Sequence, residues 1–187
     1  GNYVMKQNER HVKARHPKRC KEVRDVLKNK KTCPEETIYQ LGTLDQHASA
    51  EALVEIFEEL KKEFEERFGT NVHIIDWALH MDEGTPHIHE RHVFEATNQY
   101  GEIEPKQEAA LAELGFELPN PDKDQSRNNN RKMTFDAACR TMYLDICKRH
   151  GLELDEEPAY GGRQYLEKQD YIRMKQKKEI ADRQETI

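Results

Sequence analysis

The strongest pattern in the chain is a helical stripe. Between Ser49 and Phe68, the residues Leu53, Ile56, Phe57, Leu60, Phe64 and Phe68 recur at three- and four-residue intervals, and the positions between them are mostly Glu and Lys. Gly69 follows as a stop signal. The pattern predicts an amphipathic helix whose stripe is core. Asn71 to Met81 and Pro86 to Ala96 then read as two strands joined by the loop Asp82-Glu83-Gly84-Thr85. Glu36 to Thr43 has the apolar and aromatic content of a further strand, with imperfect alternation. Pro105 to Leu114 predicts a short helix with proline near its first turn, where a missing N–H costs least. Residues 118–132 are polar and form a loop. Thr134 is the expected cap of a helix running to about Arg149 and ended by Gly151, with Cys139, Tyr143 and Cys147 as its core stripe. A last, highly charged helix is expected from near Arg163. No internal repeat is found. This order predicts an α+β fold, an antiparallel sheet with helices packed on one face.

Composition changes that picture modestly. Hydrophobic and charged residues each make up 35% of the 187 residues, so a modest core carries long solvated helices. No apolar run is long enough to span a membrane and no signal-peptide pattern opens the chain, which together with four cysteines lacking paired close spacing places the protein in the cytoplasm. Gly1 heads a mid-stream sequence and is read as an expression remnant, with the natural start missing. Net charge is −6, yet residues 1–31 carry eleven Lys or Arg against three acids, leaving −14 on the rest. We therefore divide the chain into a basic N-terminal arm (1–32), a metal-binding domain (33–160) and a C-terminal helical extension (161–187). Within the arm, Arg10 and Lys13 are candidate phosphate contacts, the competing reading being a solvated basic helix. Arg127, Arg131 and Lys132, in or beside the polar loop, are further candidates.

The chemistry is concentrated in His80-Met81-Asp82-Glu83-Gly84-Thr85-Pro86-His87-Ile88-His89. Alternate strand residues share a face, so His87 and His89 point the same way. If the four-residue loop closes a simple antiparallel hairpin, positions summing to 167 lie opposite one another. His80 then faces His87, Ala78 faces His89, Asp76 faces Arg91 and Ile74 faces Val93. His92 and His73 turn to the other face. Three imidazoles within about 5 Å suit a divalent metal with open coordination positions, the arrangement of a catalytic site. Glu83 in the turn can add a carboxylate, and Asp82 can support it. Mn²⁺ or Mg²⁺ is favoured; Zn²⁺ and Ni²⁺ remain open.

This decapeptide resembles the metal-binding motif of the plasmid recombination and mobilisation relaxases (the Pre/Mob, or MobV, family of the HUH endonuclease superfamily), which reads His-X-Asp-Glu-X-Thr-Pro-His-X-His. Every fixed position matches. The resemblance implies a metal site of His80, His87 and His89 with Glu83 close by, and a sheet with the His-X-His strand near its centre. It also implies that the ion polarises a scissile phosphate of single-stranded or origin DNA while a side chain attacks. The pattern holds well over residues 36–96. Family members carry the proposed nucleophile, a histidine, before Asn-X-Arg; here Gln7 precedes Asn8-Glu9-Arg10. A His-Leu-Asn-Tyr segment is also missing. Replication-type members instead use a tyrosine with a lysine three or four positions on, a spacing shown by Tyr165 with Lys168 and by Tyr171 with Lys175.

Two function classes follow. One is a metal-dependent DNA nicking and strand-transfer enzyme of a mobile element, with Glu83, Tyr165 or Tyr171 as catalytic candidates. The other is a relaxase-like DNA-binding module without a nucleophile, which Gln7 favours. A cupin is set aside because its motif spacings do not fit. A metalloprotease of the deubiquitinase type is set aside because Thr97 and Tyr100 stand where Ser and Asp are needed.

Overall fold

A computed structural model describes residues 2–154; Tyr165, Tyr171 and the expected C-terminal helix lie outside the described residues. In chain order the elements are α1 (Asn2–Lys13), a 3-10 turn (Pro17–Arg19), α2 (Val23–Lys28), β1 (Glu35–Gln40), α3 (Ala50–Phe68), β2 (Val72–His80), β3 (His87–Thr97), β4 (Ile103–Pro105), α4 (Gln107–Glu113) and α5 (Arg131–Arg149). The expected α+β architecture is present. β3 lies between β1 and β2, antiparallel to both, and β4 pairs with its far end.

The helical stripe of α3 is core throughout: all six residues are buried. Ser49 caps the helix, its hydroxyl accepting from the Ala52 N–H. Along β3 the even positions Ile88, Glu90, His92, Phe94 and Ala96 are all buried, and the apolar ones join the core cluster with residues of α3, α4 and α5. The odd positions therefore occupy the opposite, more open face. α1 and α2 reach that face only near its far end, where Val4, Val26 and Leu27 line a groove with Ile75, Val93 and Glu95.

The hairpin register holds where it matters for the site and breaks beyond it. His80 pairs with His87, Ala78 with His89 and Asp76 with Arg91, as the sum of 167 requires. An irregularity between Ile74 and Asp76 then moves Ile74 opposite His92 instead of Val93. One extra residue in β2 accounts for it, with Ile75 as the unpaired position. Because side chains alternate, the slip also reverses His73. It pairs with Val93 on the open face and meets Glu95 at 2.6 Å, contrary to the unbulged register. His92 does face the core, as expected.

Helix α5 begins earlier than Thr134. Asn130 is its cap, accepting from the Met133 N–H, while the Thr134 hydroxyl donates to the carbonyls of Glu117 and Arg131. The polar loop before it is held by Asn129, whose side-chain amide donates to the carbonyls of Asn120, Lys123 and Asp124. The buried face of α5 centres on Phe135, Met142, Ile146 and Cys147, with Cys139 and Tyr143 at its flank.

Burial, with Asp136 nearby, pushes the Cys139 thiol up to about 12, and burial takes Cys147 up to about 11. An unfolded thiol ionises near ~8.5. Above that pH the unfolded chain releases protons that the fold still holds, so stability falls as pH rises and levels off only past the folded values. Urea midpoints are expected to drop between about pH 9 and 11. A Cys139→Ala/Cys147→Ala pair should flatten that limb. Equal slopes in parent and variant would refute the assignment.

Candidate metal centre

The three histidines converge through backbone pairing alone. His80 ends β2 and His87 begins β3, placed opposite each other, while His89 shares the face of His87 by strand alternation. Their candidate ligand atoms lie within 4.8 Å of one another. Ring centroids are separated by 5.3 Å (His80–His87), 4.4 Å (His80–His89) and 5.1 Å (His87–His89). Ala78 opposite His89 keeps the neighbouring position small. The connecting turn needs Gly84, which adopts φ +82° and whose Cβ would lie 2.7 Å from the Leu44 side chain.

Two of the rings are oriented by their other nitrogen. His87 Nδ1–H donates to the Thr85 carbonyl at 3.0 Å, which leaves the Nε2 lone pair available. His89 Nδ1 lies 3.1 Å from the Glu36 carboxylate, the carboxylate–histidine arrangement that fixes ring orientation and raises ligand basicity. His87 is buried, whereas His80 and His89 are half-buried. A donor set of three imidazoles, partly pre-oriented and open on one side, fits a transition-metal ion that keeps water or substrate ligands.

Sequence reasoning missed Glu36. Its strand was foreseen, but no sequence signal states which strand neighbours β3. The pairing of Glu36 with Arg91, and of Ile38 with His89, brings the carboxylate onto the histidine face. Glu36→Ala is expected to weaken metal uptake by about 10–100-fold with the fold intact. Calorimetric titration with Mn²⁺ checks this, and an unchanged affinity would exclude a supporting role for Glu36.

Other residues singled out from the sequence are dispersed. Glu83 and Asp82 are exposed in the β2–β3 turn, and Glu83 does not belong to the three-residue group. Arg10 pairs with Glu102 at 2.5 Å and stacks over the Tyr100 ring at 4.0 Å, with Gln7 nearby. At about 3.3 Å per strand residue, that end of β3 is roughly 30 Å from the triad. Lys13 and Arg127 are exposed. Arg131 binds Glu108 at 2.5 Å, and Lys132 binds Glu35 at 3.0 Å and Asp136 at 2.5 Å. Lys132 sits on the helical side of the sheet, where burial opposes its charge but Asp136 and Glu35 still raise its pKa above the ordinary lysine value. Of the four described tyrosines, Tyr39 and Tyr143 pack against each other in the core, and burial raises both pKa values.

Fold and site together define an α+β domain that carries an open three-histidine centre on the less covered face of its sheet. Residues 2–114 match the family model described as Mob_Pre, plasmid recombination enzyme, and the chain belongs to that family. No curated protein and no solved structure gives a significant match. Among the described residues no helix is long and apolar enough to cross a membrane. Family membership gives the chain a relaxase-like role on a mobile element, with DNA as its partner.

Proposed function

We propose that this chain is a metal-dependent nicking and strand-transfer domain acting on single-stranded or origin DNA in the cytoplasm during plasmid mobilisation or recombination. One observation carries the reading: three imidazoles lie within 4.8 Å on the open face, two of them oriented by a carbonyl and a carboxylate. A bound Mn²⁺ or Mg²⁺ would supply Lewis-acid polarisation of a phosphodiester oxygen. His80, His87 and His89 would hold the ion, and Glu36 beside Nδ1 of His89 keeps that ring from rotating.

The attacking oxygen is assigned to Tyr165 or Tyr171 on the tyrosine–lysine spacing they show with Lys168 and Lys175; Tyr39 and Tyr143 are committed to the core. Attack forms a phosphotyrosine ester and releases a deoxyribose hydroxyl; rejoining runs the exchange backwards. Incubating the full chain, with any upstream residues restored, with single-stranded oligonucleotides and Mn²⁺ is expected to give a cleaved strand and a denaturation-resistant adduct. A chelator should prevent both. Absence of both products would remove the nicking reading.

Gln7 favours a second reading, in which the domain grips DNA without cutting it. A glutamine cannot attack phosphorus usefully. Metal-dependent binding that never yields cleavage would select this reading.

A further inference from the structure

The basic segment after α1 is a built surface. Residues Arg10 to Lys21 include six Lys or Arg and no Asp or Glu. The chain turns sharply at Arg15, a non-glycine residue at φ +60°, with the His16 N–H donating to the His11 carbonyl. Asn8 then clamps the returning strand from both sides. Its amide donates to the Lys21 carbonyl at 2.8 Å and its oxygen accepts from the Lys21 N–H at 2.9 Å. Lys13, Arg15, Lys18 and Arg19 are thereby displayed exposed, and none of them makes an ion pair among the described residues.

Beside them runs a groove of about 570 Å³ lined by Tyr3, Arg10, His11, His16, Arg19 and Tyr100. The Tyr100 side chain is 59% exposed, and Arg10 lies over its ring. The acids at the rim are already neutralised: Glu102 by Arg10 and Lys6, and Glu104 by Lys106. Unpaired cations on the segment that walls the groove, with an exposed aromatic ring lining it, match the two chemical faces of a single nucleic-acid strand, anionic phosphates and planar bases.

We propose that this groove is a second DNA site, separate from the metal centre, where a single strand lays its phosphates on Lys13, Lys18 and Arg19 and stacks a base on Tyr100. The proposal rests on DNA being the partner, but not on cleavage. It also explains how an acidic chain holds DNA while the histidine face engages one phosphate roughly 30 Å away along β3, given the strand rise.

The test is fluorescence anisotropy with a labelled single-stranded oligonucleotide in chelator, over a range of salt. Changing Lys13, Lys18 and Arg19 together to Gln is expected to weaken binding at least tenfold at low salt. The same change should reduce the log–log salt slope by about 2. Tyr100→Ala should weaken binding about tenfold, while Tyr100→Phe binds like the parent. Cation and Tyr100→Ala variants that bind with parental affinity and slope would overturn the groove, whatever the nicking assay shows. Loss of nicking alone, with this pattern intact, would instead remove the metal-dependent reading.

Discussion

Alanine at His80, His87 and His89 together is expected to abolish stoichiometric uptake of Mn²⁺. Among the described residues the three rings are the one group of three or more ligand-type side chains whose donor atoms lie within 4.8 Å of one another. Losing a residue that merely orients a ligand costs about 10–100-fold, so losing every ligand should exceed 100-fold and fall below calorimetric detection. The fold should survive, because the core lies on the opposite face of β3 and none of the three histidines belongs to it. Circular dichroism separates the two effects: parental helix content with no metal isotherm is the expected result. An isotherm like the parent's would end the assignment. His87→Ala alone should retain weak uptake, since His80 and His89 remain with their rings 4.4 Å apart.

Phe135→Ala is expected to have the largest effect on stability. The ring sits where α5 meets the rest of the core, within 5.2–6.1 Å, centroid to centroid, of Phe64, Phe68, Phe94 and Phe116. It is 2% exposed. Removing it deletes several edge-to-face contacts and opens a cavity that four other rings cannot close without leaving their rotamers. The cost should be about 3–5 kcal/mol, against a total stability that for single domains is about 5–15 kcal/mol. Urea unfolding should show a large fall in midpoint, or a chain already unfolded at 37 °C. A loss below about 1 kcal/mol would mean that α5 docks elsewhere. Phe135→Leu, which keeps most of the volume, should recover much of the loss.

The two predictions probe opposite faces of one strand, and the sequence foretold those faces unequally. α3 was legible to the residue, because its core stripe is a local pattern with a period that only a helix satisfies. The triad was legible for a similar reason. A four-residue loop fixes which residues oppose each other, and histidines at positions 80, 87 and 89 then have no choice but to meet. The helical cap at Asn130 was misplaced to Thr134 because either residue type can accept a backbone N–H, and only the path of the preceding loop selects between them.

What the chain determined by itself was whatever depends on neighbours close in sequence: the α3 stripe, the hairpin register near its turn and the convergence of three imidazoles. Only the tertiary structure decided the rest. It placed β1 beside β3 and so brought Glu36 to His89; it put an extra residue at Ile75 and turned His73 to the open face; it committed Lys132 to Glu35. These outcomes depend on contacts between segments far apart along the chain, where packing and strand twist choose among arrangements that local patterns leave equal in energy.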